Sequence, residues 1–110
     1  MTPLELFHEI VATYDRHGWK LQRILLRPVT RASLQEQSHE FPKEVTLLDA
    51  DFDALWFARS SHAGREAWEL RLFAPQPYAL FAAFAADEDE AQREEARQEM
   101  QAQMRDYALK

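Results

Sequence analysis

The chain has 110 residues, of which 46% are hydrophobic and 12% aromatic, enough for one hydrophobic core. It contains no cysteine, which excludes disulfides, thiol nucleophiles and cysteine-ligated zinc. The net charge of −6 argues against nucleic acid as a partner, because phosphate contacts need clustered Lys and Arg.

The lack of a recognisable secretory signal and of a membrane-spanning stretch predicts the location of the protein. The first residues show neither the basic start nor the apolar run of a secretory signal. The longest mostly apolar stretch, 78–86, is far shorter than the roughly 20 residues that span a bilayer. We therefore expect a cytoplasmic protein with no membrane partner, built as a single α+β domain over residues 1–110.

The first predicted helix has a complete start signal. Thr2 is a good N-cap, Pro3 occupies the favoured first position, and Glu5 completes a capping box. Gly18 is well placed to end the helix. The apolar stripe at helical spacing consists of Leu4, Phe7, Ile10, Val11 and Tyr14. We expect this helix to cover one face of a sheet.

Residues 19–27 (WKLQRILLR) are rich in strand-forming residues and are followed by a proline. Strict alternation puts one set of side chains, Trp19, Leu21, Arg23, Leu25 and Arg27, on one side of this strand, with Ile24 and Leu26 on the other. Residues 29–44 are polar and irregular and predict a long loop, in which Thr30 could cap a single helical turn.

Residues 51–73 predict a β-hairpin with large aromatic side chains on both of its faces. If Ser60 pairs with Arg65, the loop is 61–64 and Gly64 supplies its left-handed residue. That register would place two pairs under the first helix, namely Phe57 with Trp68 and Leu55 with Leu70.

The reverse face of this hairpin would carry Phe52, Trp56 and Phe73. An apolar face of this kind needs a cover, supplied either by the chain's own C-terminal helix or by another molecule. Aromatic residues interspersed with Arg and Glu are typical of interfaces, so the sequence favours another molecule.

After the sequence APQP, residues 78–86 fit a strand and a helix equally well, because alanine favours helix and aromatics favour strand. Residues 87–108 then predict a long acidic helix with Asp87 as its capping acid. Its narrow apolar seam consists of Ala96, Met100, Met104 and Tyr107. Such a seam suits a sheet, the first helix or a second copy of itself.

The motif at residues 49–53 (DADFD) begins like a calcium-binding loop. However, Ala54 stands where that loop needs glycine, and Ser60 stands where it needs a bidentate glutamate. We interpret the acids as a lead-in to the next strand, where their charges discourage edge-to-edge aggregation.

No other pattern predicts chemistry. The histidines at 8, 17, 39 and 62 have no metal-ligand spacing, and two glycines cannot build a phosphate-cradling loop. Ser60, Ser61 and His62 are typical of a turn rather than a catalytic triad. We therefore predict no catalytic residues, no metal and no cofactor.

Three arginines, Arg23, Arg27 and Arg71, are candidates for a small anion site that would take a carboxylate or an acidic peptide. The competing interpretation is that they pair with neighbouring acids such as Glu69, or with the C-terminal helix.

The predicted fold is α+β, with an N-terminal helix, an antiparallel sheet of three to four strands and a long C-terminal helix. The predicted function is a non-catalytic protein-interaction module, either a homodimer or an adaptor or chaperone-like protein. Its candidate interface residues are Phe52, Trp56, Phe73, Met100, Met104 and Tyr107. The alternative is a small enzyme or small-anion binder that uses Arg and His groups on the sheet.

Overall fold

The computed structural model describes residues 1–36 and 41–110. Its elements are, in chain order, α1 (Pro3–Arg16), β1 (Lys20–Leu26), α2 (Pro28–Glu36), β2 (Thr46–Asp49), β3 (Ala54–Ser60), β4 (Glu66–Leu72), β5 (Ala79–Phe84) and α3 (Glu90–Ala108). The predicted α+β class is confirmed, although the sheet has five strands rather than three to four.

The strands lie in the order β2-β1-β3-β4-β5. Every neighbouring pair is antiparallel except β1 and β2, which are parallel. A parallel pair needs a crossover connection, and α2 lies in the connection between β1 and β2. The ambiguous segment 78–86 is strand β5, which hydrogen-bonds along β4 at one edge of the sheet.

Both long helices begin with a capping box. Thr2 and Glu5 form the predicted box at the start of α1, and Gly18 takes a φ of +83° just past its end. At α3 the capping acid is Asp89, which bonds reciprocally with Gln92, so the prediction of Asp87 is wrong by two residues. Among the residues described, no helix is both long and apolar enough to cross a bilayer.

The predicted loop 29–44 contains the nine-residue helix α2, which is longer than the single turn expected there. Leu34 of this helix is fully buried against the sheet, and that burial stabilises a helix in which Leu34 is the one buried hydrophobic residue. Residues 37–40, including His39, lie outside the described part of the chain.

A β-bulge in β1 changes the predicted alternation. The pairing of β1 with β3 shifts between Leu21 and Arg23, which adds one residue to β1. Trp19 and Leu21 therefore share a face with Ile24, while Arg23 lies on the other face. The prediction that Trp19, Leu21 and Arg23 lie together is wrong for this reason.

The hairpin register differs from the prediction by one residue. Ser60 pairs with Glu66 rather than Arg65, and the loop 61–65 contains a short 3-10 turn. A slip of one residue moves every side chain of a strand to the opposite face. Trp68 and Leu70 therefore lie on the same face as Trp56, not beneath α1 with Phe57.

The sheet is covered by helices on both sides. We call the side under α1 and α2 the α1 face, and its buried cluster contains Phe7, Ile10, Trp19, Ile24, Leu26, Leu34, Leu55, Phe57, Ala67 and Phe73. We call the other side the α3 face, and its cluster contains Leu25, Phe52, Ala54, Trp56, Ala58, Trp68, Leu70, Leu72, Phe84, Met100 and Met104.

Tyr14 links α1 to Glu69, which the observed hairpin register places on the α1 face beside Phe57. Tyr14 stacks on Phe57 with ring centroids 4.0 Å apart and donates a hydrogen bond to the carboxylate of Glu69. Burial, together with this hydrogen bond, raises the pKa of the Tyr14 phenol. The bond gives Glu69 a partner on a face that helices largely cover.

Candidate functional site

Helix α3 of the same chain covers the aromatic face around Trp56, whereas the sequence favoured another molecule as its cover. Trp56 is fully buried, and its indole Nε1 donates to Oε1 of Gln101 at 2.9 Å. Met100 and Met104 pack in the same cluster as Phe52. Of the two predicted covers for this face, the structure has the intramolecular one.

Of the remaining two candidate interface residues, one lies on the opposite face and the other at the margin of the α3-face cluster. Phe73 is buried on the α1 face, where its ring meets that of Phe7 edge to face at 6.1 Å. Tyr107 is half-buried and stacks on Tyr78 with ring centroids 3.6 Å apart. The structure therefore places the six candidates in two different cores or at their margin, and not on one exposed surface.

The three candidate anion-binding arginines do not converge. Arg23 forms a bidentate pair with Glu94 of α3, with N–O distances of 2.8 and 3.2 Å. Arg27 holds the buried carboxylate of Asp53 through its Nη2 at 2.8 Å. Arg71 instead donates to backbone carbonyls, those of Leu72, Ala74 and Gln76. Each guanidinium has partners within the chain.

Arg97 was not among the residues predicted to form a site, although it is only 1% exposed. Its guanidinium lies 4.3 Å from the ring centroid of Trp68 and donates to Glu90 and Glu94. Hydrogen bonds from Arg23, Gln98 and Arg97 outweigh burial and lower the pKa of the Glu94 carboxyl to about 2. The one available signal was its place three residues before Met100, beside the apolar seam.

The acids at residues 49–53 are each bound to a different arginine from another part of the chain. The three pairs are Asp49 with Arg31 of α2, Asp51 with Arg105 of α3 and Asp53 with Arg27. The strand that they lead into, β3, is the central strand of the sheet and has no free edge, whereas Asp49 ends the edge strand β2. Among the residues described, no group of three or more acids and histidines is placed to hold a metal ion.

Strand β5 leaves one edge of the sheet open. The amide of Leu72 donates to the carbonyl of Tyr78, so Tyr78 points its backbone groups towards β4. Backbone groups alternate along an antiparallel strand. Ala79, Phe81 and Ala83 therefore direct both N–H and C=O away from the sheet, and we call these three residues the free edge.

The free edge has no partner within residues 1–36 and 41–110, because β5 pairs only with β4. Its next outward residue, Ala85, is already satisfied: Glu88 accepts from its amide and Arg93 donates to its carbonyl, both at 2.8 Å. The open stretch is therefore limited to three residues.

Phe81, at the centre of the free edge, is 58% exposed. Its ring lies on the α1 face, 6.2 Å from Trp19, beyond the area that α1 covers. Natural edge strands are commonly short or carry charges or proline that block pairing with another chain. At the opposite edge, β2 has four residues and ends in Asp49, whereas the six residues of β5 (ALFAAF) include no charge and no proline.

A second open feature adjoins the first. An open groove of about 1220 Å³ lies at the hairpin end of the sheet, and we call it the hairpin-end groove. Two carboxylates line it, Glu66 and Glu88. The cationic and imidazole groups that line it are Lys20, Arg59, Arg65, His17 and His62. With the histidines neutral, three cationic groups and two carboxylates line the groove, whereas the whole chain has a net charge of −6.

Comparison with protein-family models, with curated proteins and with solved structures found no match.

Proposed function

We propose that this protein is a non-catalytic interaction module that binds an extended segment of a protein partner along β5. The observation that supports this most directly is the free edge, a run of unpaired backbone donors and acceptors beside an exposed phenylalanine. An extended peptide that adds a strand to such an edge gains main-chain hydrogen bonds, and its alternate side chains gain specificity.

The binding surface proposed here differs from the surface predicted from the sequence. The sequence pointed to an aromatic sheet face and the seam of the last helix, which pack against each other. Phe81 of β5 is the most exposed large apolar side chain of the sheet, at 58% against 38% for Leu48 on the other edge strand. It offers an aromatic anchor of the kind enriched at binding hot spots. The absence of cysteine supports a cytoplasmic location, which stays a prediction.

The experiment uses a displayed library of random extended peptides, selected against the full chain. The informative variant is Ala83→Pro, because proline lacks the outward N–H while the bonds from β5 to β4 do not involve that group. We expect selected peptides to bind this variant about tenfold more weakly, the equivalent of one hydrogen bond. The matched control is Ala83→Ser, which keeps the N–H and should bind normally.

Amide hydrogen exchange locates the bound peptide independently. Peptide binding should slow exchange at Ala79, Phe81 and Ala83, whose amides face solvent in the free chain. A library that yields no binder contradicts the proposal. So do binders that are insensitive to Ala83→Pro or that protect another part of the molecule.

A second candidate function, binding of a small anion, is supported by the hairpin-end groove. Arg65 has no ion pair with any residue of the described chain, and the groove around it gathers further Arg, Lys and His groups. Titration with inorganic phosphate should shift the amide resonances of 59–65 in the NMR spectrum. Arg65→Gln should weaken those shifts, whereas Lys110→Gln, which removes one charge away from the groove, should not.

A further inference from the structure

We propose that the occupant of the free edge is a second copy of this chain, paired antiparallel through β5 about a two-fold axis at Phe81. The two five-stranded sheets would then continue into each other across the contact. This inference rests on the proposed function, since it names the partner of the same edge.

The hydrogen-bond pattern of the free edge selects one register. With Phe81 opposite Phe81 of the second copy, Ala79 falls opposite Ala83 of that copy, and the reverse holds by symmetry. Every outward N–H and C=O of both chains then has a partner. A shift of two residues in either direction would leave Ala79 or Ala83 unpaired in both copies. The edge is thus complementary to itself.

The side chains fit the same register. The exposed rings of Phe81 from the two copies would meet directly across the axis on the α1 face, an aromatic cross-strand pair. Their neighbours on that face, Ala79 and Ala83, are small and leave room for the two rings. On the α3 face, Leu80 would lie opposite Ala82 of the second copy.

Charge also permits this pairing. Two identical acidic chains repel each other, but no residue of β5 is ionisable, and the acidic run 87–90 begins after the strand has ended. The contact therefore places no like charges opposite each other. Because each chain carries −6, added salt should screen the remaining repulsion and strengthen the association.

The contact is short, so the association is expected to be weak. A three-residue edge with one aromatic ring on each side buries well below the ~1,200 Å² of a stable interface. We expect a dissociation constant on the order of 10–100 µM. Sedimentation velocity at rising protein concentration should therefore show a monomer that passes into a dimer.

Engineered cysteines test the register, and the chain has none of its own. A hydrogen-bonded antiparallel pair has Cα atoms about 5.5 Å apart, which suits a disulfide. A mixture of Ala79→Cys and Ala83→Cys chains should cross-link to each other under mild oxidation while keeping Phe81. Neither variant should cross-link with itself, because the same residue in the two copies would be about 14 Å apart along the strands.

Three outcomes of these measurements would contradict the proposed pairing of β5 with its copy. A wild-type chain that stays monomeric at several hundred micromolar overturns the self-pairing. Efficient cross-linking of Ala79→Cys with itself also overturns it, since that pattern belongs to another register or orientation. A dimer that persists in Ala83→Pro as well as in the Ala83→Ser control would place the contact elsewhere and would also contradict the self-pairing through β5.

The inference and the proposed function can fail separately. If the chain is monomeric but selected peptides bind β5 and are weakened by Ala83→Pro, the module stands and the second copy is not its partner. If Ala83→Pro changes neither peptide binding nor self-association, both proposals are wrong.

Discussion

At the scale of single residues, ion pairs around a buried arginine connect α3 to the sheet. Arg97 is almost completely buried, and its charge is balanced by Glu94, which also holds Arg23 of β1. A buried arginine without its acid would be costly, because desolvation of a guanidinium is offset only by good partners. Glu94 is therefore the side chain on which this contact depends most.

We predict that Glu94→Gln lowers the free energy of unfolding by about 1–2 kcal/mol at pH 7, since hydrogen bonds to a charged acceptor are stronger than those to an amide. The expected loss is limited because the Glu94 side chain is 38% exposed and partly screened by water. Urea unfolding followed by tryptophan fluorescence measures it.

The pH dependence has a definite sign. The folded pKa of Glu94 is about 2, below its ordinary 4.5, so its stabilising contribution is present above about pH 4.5 and disappears as the pH falls through 2. The difference between wild type and Glu94→Gln should therefore shrink over this interval. A difference that is unchanged at pH 2 would show that the charge is not its source.

At the scale of elements, the start of α3 is set by two reciprocal hydrogen bonds between residues three apart in the sequence. Asp89 accepts from the amide of Gln92 at 2.8 Å, and the Gln92 side chain accepts from the amide of Asp89 at 3.1 Å. Asp87, two residues upstream, looks equally suitable in the sequence but precedes the cap. Only the residue with extended backbone geometry immediately before the helix can cap it.

We predict that Asp89→Ala lowers the free energy of unfolding by about 1 kcal/mol because the first-turn amide loses its acceptor. Asp87→Ala is the matched control, with the same change of charge two residues away and an expected effect below about 0.5 kcal/mol. Equal losses in the two variants would mean that the effect is general electrostatics and not capping. Thermal unfolding by circular dichroism makes the comparison.

At the scale of the whole molecule, one sheet separates two cores. Ile10 of α1 is buried on one side and Met104 of α3 on the other, and their clusters share no buried residue. Residues on opposite faces act on each other only through the sheet between them. The molecule is therefore layered, with helices, sheet and helix in sequence.

We predict that Ile10→Ala and Met104→Ala each cost about 2–5 kcal/mol, because each opens a cavity in a packed core. The two losses should add within about 0.5 kcal/mol in the double variant, as expected for distant sites. The control is the pair Met100→Ala and Met104→Ala, neighbours in one cluster, whose losses should not add simply. Strong coupling across the sheet would contradict the layered picture.

How much of this fold the sequence revealed depends on how local each signal is. The start of α1 is encoded within four residues, Thr2 to Glu5, and its apolar stripe identifies the buried Phe7 and Ile10. The α+β class and the long acidic helix follow from similar short-range patterns. Whether the three candidate arginines form an anion site could not be predicted from local patterns, because the partners of Arg23 and Arg27 lie 71 and 26 residues away in the sequence.

By itself the sequence determined the two long helices and the strands of the hairpin, because caps, turns and apolar periodicity act over a few residues. Only the tertiary structure decided which faces those elements present. A hairpin register that differs by one residue from the predicted one reverses the faces of β4, and the bulge in β1 reverses the residues on one side of it relative to those on the other. The tertiary structure also decided that α3 covers Trp56 and that residues 79–84 form an edge strand, because pairing and burial are relations between distant parts of the chain. That is why the ring of Phe81 is exposed on the sheet while that of Trp56 is fully buried.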